Sequence, residues 1–334
     1  DIFPKLQELR NLGVAFDNMD TGESFDKVAD QVYSANVYIN SSTISEALEK
    51  EAQIVLAGRV SDPGLALGPC IYEFNWDDSE YNLLAAGTLA GHITECGAQC
   101  TGGNYSRWQD VPDLADIGYP IIEMRSDGIF YITKHKGSGG LVNRETIGEQ
   151  VLYEMGDPEN YISPDVCVDF TSFALKDLGD NRVEIDNVKG FTPTDSYKVS
   201  ISYFAGYKAA GQLTISGPNA YEKAQLTAEI IWKRLTNAGA QFEDTSTEYL
   251  GLSSCHGEIN SIPSQINEVV LRLGVKDANK DNVNRFGKEI APVITSGPPG
   301  ITGFSGGRPK AQEIVAYWPA LIPKELVHTT VDVI

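Results

Sequence analysis

The texture of the chain changes near residue 165, and this change constrains the fold more than any other feature. Before it, helix and strand patterns alternate. "TISEALEKEA" opens on Thr43 with Glu46 three residues on, a capping-box signature. The short apolar run "QIVLAG" (53–58) that follows suits a buried parallel strand. "RVSDPG" then breaks the strand, and a helix beginning near Asp77, with Glu80 at its third position, carries "LAGHITECGAQCTGG". After the change, "VCVDF", "RVEIDNV", "YKVSISYF" and "GQLTISG" alternate over short runs separated by Gly, Asn and Asp, as antiparallel strands do. A long helix follows, with Leu226, Ile230, Ile231 and Leu235 as its apolar face and Gly239 as its C-cap. The pattern predicts an α/β domain over 1–163 with a largely parallel sheet, then an α+β domain over 164–334 with antiparallel strands.

Twenty-six Lys and Arg against 46 Asp and Glu leave a net charge of −20 over 334 residues. Such a surface repels nucleic-acid phosphates and anionic membranes, so neither is expected as a partner. No apolar run approaches the ~18 residues of a membrane span, and the start "DIFPKLQELR" is too charged for a signal peptide. Five cysteines, an odd number, fit a reduced cytoplasmic protein better than a disulfide scaffold.

On a helix, His92, Glu95 and Cys96 fall at i, i+3 and i+4 and share one face. That spacing presents a general base, an acid or a nucleophile to one small volume. It equally suits a buried helix whose polar atoms bond neighbouring backbone, and spacing alone does not separate the two. Gly87, Gly91 and Gly97 weaken the helix by up to ~1 kcal/mol each relative to Ala, which points to close approach by another backbone or a ligand. Cys100, one turn beyond Cys96, does not match structural zinc spacing, and no metal is implied. Arg59 and Asp62 follow directly on the expected strand, where open α/β sheets gather their ligands.

Two glycine-rich loops read as anion sites. In "TKHKGSGGLVNRETIGEQ", Lys134 and Gly137, Gly139 and Gly140 precede a helix capped by Asn143, so amides and a helix dipole face one place. The plain alternative is a flexible turn. "TSGPPGITGFSGGRPK" (295–310) ends on Arg308 and Lys310 and runs into the strand-like "EIVAYWPAL", which favours a binding loop over a linker. "DANKDNVNRFGKE" begins like a calcium loop, but its twelfth position is Lys288 where a bidentate glutamate is needed. His256, beside Cys255 and Glu258, reads as a loop residue.

The ordered set "AGRVSDPGLALGP", "LAAGTLAGHITECGAQCTGG", "IGYPIIEM", "ITKHKGSGGLV", "EQVLYEMGDPENYISPDV" and "SGPPGITGFSGGRPK" resembles the acyclic terpene utilisation (AtuA-like) family, from about Val14 to Pro323. The resemblance implies a role in breakdown of citronellol and geraniol through CoA thioesters, and a further glycine-rich segment upstream of the part matched here. Arg59, Asp62, His92, Glu95, Cys96, Lys134 and Arg308 match the family pattern; the resemblance assigns them no roles.

Together these readings predict a catabolic enzyme acting on a branched, terpene-derived acyl-CoA or acid, as a lyase or hydratase. Coenzyme A enters as part of the substrate, and no other cofactor is implied. Either His92 or Glu95 is the base, oriented by Asp62. Arg59, Lys134, the Gly137–Gly140 amides and Arg308 hold the thioester oxygen or a CoA phosphate. A Cys96 nucleophile is the enzymatic alternative, requiring a thiol pKa depressed by His92. A non-catalytic scaffold subunit of a degrading complex is the other; it gains if His92 is sealed in the core. A homo-oligomer or a partner chain is expected to cover an incomplete first domain.

Overall fold

A computed structural model describes residues 1–252, 254–257, 259, 262–263, 265–303 and 306–334, and the backbone of Glu258. The helices are α1 (Leu6–Asn11), α2 (Ser42–Glu49), α3 (Gly64–Phe74), α4 (Tyr81–Thr94), α5 (Arg144–Val151), α6 (Ala220–Asn237), α7 (Lys280–Ile290) and α8 (Val293–Ser296). The strands are β1 (Val32–Val37), β2 (Pro120–Met124), β3 (Phe130–Lys134), β4 (Tyr161–Ile162), β5 (Cys167–Asp169), β6 (Ala174–Asp177) and β7 (Val183–Asp186). They continue with β8 (Lys189–Phe191), β9 (Ser196–Ser216), β10 (Asp244–Leu250), β11 (Glu268–Asp277), β12 (Ile301–Thr302) and β13 (Gln312–Pro323).

The chain divides into two compact units, one of residues 1–27, 34–201 and 318–334 and the other of 28–33 and 202–317. The change in texture at 165 therefore does not coincide with a unit boundary, because 164–201 belong to the first unit.

The first unit is built around α4, whose Leu84, Ala85, Leu89, Ala90 and Ile93 are buried with Phe130, Ile132, Val166, Val168 and Ile185. Two small sheets flank it, in the order β2-β3-β7-β6 and β4-β5-β8. Every strand pairing described in both is antiparallel, which corrects the parallel sheet expected for this part. An isolated parallel bridge joins Ile39 and Val60. The run 53–58 is not a strand: it is irregular, with Ile54 89% and Leu56 98% exposed. Apolar content had suggested a buried strand, but a strand also needs neighbours to take its backbone groups, and none pairs with 53–58 among the described residues. Near the start of α4, Glu80 occupies the cap position and its carboxylate accepts from the Asp77 amide at 2.8 Å.

In the second unit, β9 from residue 202, α6, β10, β11, α7 and β13 up to residue 317 come in that chain order, with α8 and β12 between the last two, and β13, β9, β11 and β10 are successive neighbours in the sheet. This is a split β-α-β arrangement. Leu213 and Ile215 of β9 and Val269, Leu271, Leu273 and Val275 of β11 meet Ala224, Ile231 and Leu235 of α6 and Phe286 of α7. The expected antiparallel pairing holds, with Leu271 opposite Leu213 and opposite Tyr249. The two runs "YKVSISYF" and "GQLTISG" are one long strand. The core face of α6 is shifted from that expected: Ile231 and Leu235 are buried, Leu226 is exposed, and small Ala220, Ala224 and Ala228 complete the seam. Gly239 ends the helix as expected, at φ +72°, with its amide donating to Thr236 O. Asn279 caps α7, accepting from the Asp281 amide at 2.9 Å.

Candidate active site

Asp62 and Glu95, 33 positions apart in sequence, are brought together by helix packing. Pro63 precedes α3, and Gly91 of α4 lies against it so tightly that a Cβ there would stand 2.6 Å from Pro63 Cα. One turn further on, Gly87 receives the Leu67 side chain of α3. The glycines of "LAAGTLAGHITECG" thus let α3 approach α4, with Asp62 at the start of α3 and Glu95 just past the end of α4. The two residues line one cleft of about 520 Å³ together with Leu65, Ala66, Thr94, Cys96 and Glu154. A second cleft, of about 640 Å³, shares Thr94, Glu95 and Cys96 and is completed by Gly97, Tyr119, Pro120 and Ile122.

His92 does not reach either cleft. It is 1% exposed, with its ring packed on Tyr161 and Phe170 at centroid distances of 5.5 and 5.3 Å. Those two rings stack on one another at 4.7 Å. Nε2 lies 3.2 Å from the Val151 carbonyl oxygen and Nδ1 3.2 Å from Glu95 Oε1. A carbonyl only accepts, so Nε2 carries a hydrogen and donates it. The Nδ1 contact then needs one further proton, on the imidazole or on the carboxyl group. His92 and Glu95 form a hydrogen-bonded pair, and Glu95 is its cleft end, 17% exposed against 2% for the histidine side chain.

Gln150, fully buried in α5, donates from Nε2 to the His92 carbonyl at 3.1 Å and fixes that turn of α4 against α5. Three residues beyond α5, Glu154 takes a left-handed backbone at φ 54° and joins the cleft. Its surroundings are acidic. Burial is the first cause that pushes the Cys96 thiol above its ordinary value, and Glu95, Glu154 and Asp62 push it the same way against a hydrogen bond with Gln150. Burial and the same three carboxylates push the Tyr161 hydroxyl up strongly. The depressed thiol that a Cys96 nucleophile requires is therefore not what this environment produces. Among the described residues, no group of three or more His, Cys, Asp and Glu is arranged to hold a metal ion.

The remaining expected residues lie elsewhere. Arg59 holds Asp62 at 3.4 Å and sits over the Tyr38 ring, but it lines a different cleft with residues 52–58. Lys134 is spent on its own turn, donating to Ser138 O at 2.6 Å. It lines neither of the clefts at Glu95, although Pro120 opposite it in β2 lines the second. The glycines after it are likewise engaged: the Gly139 amide donates to Asp116 O at 2.6 Å, and Gly140 packs on the backbone of Ile117 and Thr101. Asn143 caps α5 as expected, in a reciprocal box with Thr146, and so takes up the helix start that an anion would use. Only Gly137, at φ +88° in an open turn, is uncommitted among the three. Arg308 belongs to the second unit, where it lines a cleft of its own. His256 and Cys255 are exposed, while the Glu258 side chain and residues 304 and 305 of the second glycine loop lie outside the described residues.

Glu154 is the cleft residue that sequence reasoning missed. It lies inside "EQVLYEMGDPENYISPDV", but no spacing rule links it to Glu95.

No curated protein matches this chain. Among solved structures it is similar to the crystal structure of an amidase of the hydantoinase/carbamoylase family from Burkholderia phymatum, at 15% identity and a TM-score of 0.20. That likeness covers 38% of this chain and 32% of the amidase, so the match spans about a third of the amidase's length, and nothing about function follows from it. The family model described as acyclic terpene utilisation family protein AtuA matches residues 1–333, and the chain belongs to that family.

Proposed function

We propose that this chain, within the role in acyclic terpene utilisation that its family suggests, is an acid–base enzyme acting on a branched acyl-CoA or acid, as a hydratase or lyase. The observation that carries the reading is the position of Glu95: its carboxyl group stands in a cleft while a buried histidine ring nitrogen lies 3.2 Å behind it. In hydration of an α,β-unsaturated thioester, Glu95 takes a proton from water as the oxygen bonds to the β-carbon. Glu95 then returns that proton to the α-carbon of the enolate, so that water is added across the double bond and the carboxylate is regenerated. Elimination is the reverse. His92 acts on Glu95 rather than on substrate, holding it in orientation. Leu65 and Ala66 offer an apolar wall to a branched chain.

The test is turnover of CoA thioesters of citronellol- and geraniol-derived acids in deuterated water, with product mass and α-carbon deuteration as readouts. The reading expects both, and a loss of ~10²–10⁴-fold in Glu95→Gln, the usual weight of a general base. No conversion and no exchange with any of these thioesters would remove it.

A second reading, a non-catalytic scaffold subunit, is favoured by the sealing of His92 between Tyr161, Phe170 and Val151 and by the absence of Arg59 from the cleft. It expects Glu95→Gln to lower stability while leaving no activity to lose. A cysteine-nucleophile transferase or hydrolase is disfavoured by the raised Cys96 thiol.

A further inference from the structure

We propose that the second unit carries a binding site for a phosphate-bearing small molecule of nucleotide size, in the cleft beside Arg308 and Lys310. The cleft measures about 660 Å³, within the range of ~300–1,000 Å³ of small-molecule sites. Its polar end is formed by Gly306, Gly307, Arg308 and Lys310, and its apolar wall by Leu213 and Ile294.

Three observations give the site its chemistry. Among the described residues no carboxylate lines it, in a chain whose 46 acidic residues outnumber 26 basic ones. Elsewhere Arg10, Arg125, Arg182 and Arg272 each hold a carboxylate. Arg308 and Lys310 have no ion-pair or hydrogen-bond partner among the described residues. Their backbone is also pinned. Pro309, between them, lies against Gly287 of α7, where a Cβ would stand 3.0 Å from the Pro309 carbonyl carbon. On the other side Pro309 lies against Gly211 of β9, where a Cβ would stand 3.1 Å from its ring. The Ala311 amide, next along, donates to Asn284 Oδ1 at 3.0 Å.

Two cations on a fixed backbone lose less freedom on binding than two on a free loop. A guanidinium fork beside an ammonium suits a phosphate dianion better than a single carboxylate. The apolar wall fits the organic body that carries the phosphate. The site stands independently of the acid–base reading of Glu95.

The experiment is isothermal titration of the full chain with ADP, coenzyme A and inorganic pyrophosphate at low salt, for wild type, Arg308→Ala/Lys310→Ala and Ile294→Ala. Melting curves confirm that each variant folds. The expected result is saturable binding of at least one of the two organic phosphates, weakened at least tenfold in the double variant and less in Ile294→Ala. Binding should also weaken as salt rises. Preference between ADP and coenzyme A identifies the organic body. Absence of saturable binding by all three probes overturns the proposal, as does affinity within twofold of wild type in the double variant. Pyrophosphate binding as tightly as both organic phosphates, unmoved by Ile294→Ala, overturns the assignment to an organic phosphate. Glu95→Gln should bind these probes as wild type does, so failure here and failure of the acid–base reading are distinguishable.

Discussion

Gly91 of α4 lies against Pro63 at the head of α3, and this contact sets the separation of Asp62 from Glu95. An alanine at 91 gains up to ~1 kcal/mol in helix propensity. It also places a methyl 2.6 Å from Pro63 Cα, and overpacking of this kind costs ~1–3 kcal/mol. Backbone on both sides leaves no side chain to yield, so the clash should win. Gly91→Ala is expected to lower the midpoint of chemical denaturation; an unchanged or raised midpoint would show that α3 and α4 are not in this contact.

His92 has two hydrogen-bond partners, Val151 O and Glu95 Oε1, and two aromatic neighbours. His92→Phe keeps the aromatic packing and leaves both groups without their histidine partner. Leaving a buried polar group unpaired costs ~1–3 kcal/mol. The expected result is a loss of that size in urea denaturation. A variant as stable as wild type would mean the ring is held by packing alone.

Asp165 supplies a pH test. Burial pushes its carboxyl up from 3.8 to about 6, against two hydrogen bonds from Ser41 and the nearby Lys324 ammonium. The raised value means that the folded chain keeps a proton which the unfolded chain releases between about pH 4 and pH 6. The stabilisation from this group is therefore complete below about pH 4 and lost as pH rises through about 6. Relative to Asp165→Asn, which does not titrate, wild type should lose roughly 1–3 kcal/mol between pH 4 and pH 7. Parallel stability curves for the two proteins would contradict the buried environment given to Asp165.

The signals that could be read along the chain are local. The glycines of α4 that let a neighbour approach, and the short spacing of His92, Glu95 and Cys96 at its end, can be read along one stretch of chain. So can the caps at Asn143 and Gly239. What failed was long-range. Pairing direction depends on which strands meet, which the apolar runs do not encode, so antiparallel β2-β3-β7-β6 could not be told from a parallel sheet. Lys134 looked free because its acceptor, Ser138 O, is a backbone atom visible only once the turn is folded. Glu154 enters the cleft through the position of α5 and a left-handed φ. The β9 runs read as two strands because Gly206 falls between them, although it lies inside the strand.

Ile54 and Leu56 are exposed in the isolated chain, in an uncharged run from Ala52 to Gly58. Exposed substitutions away from caps and cores change stability within ±0.5 kcal/mol. Ile54→Ser/Leu56→Ser should accordingly leave the melting curve of the monomer unchanged. A loss of several kcal/mol, varying with protein concentration, would instead mean that a second polypeptide covers this segment.

The thiols give the sharpest discrimination between the enzymatic readings. A cysteine nucleophile needs a substantial thiolate fraction at neutral pH, whereas burial and the charges of Glu95, Glu154 and Asp62 push Cys96 the other way. Cys70 and Cys100 are held higher still, at about 11 and about 12, by burial above all, and Cys255 is exposed. Limited alkylation with iodoacetamide at pH 7, followed by peptide mass spectrometry, should therefore label Cys255 first. Cys96 should follow slowly, and Cys70 and Cys100 should react only on unfolding. In Glu95→Gln one of the opposing charges is gone, so Cys96 should label faster than in wild type. If Cys96 instead reacts ahead of Cys255 in the native protein, the carboxylates do not set its protonation, and the nucleophile reading displaces the acid–base one.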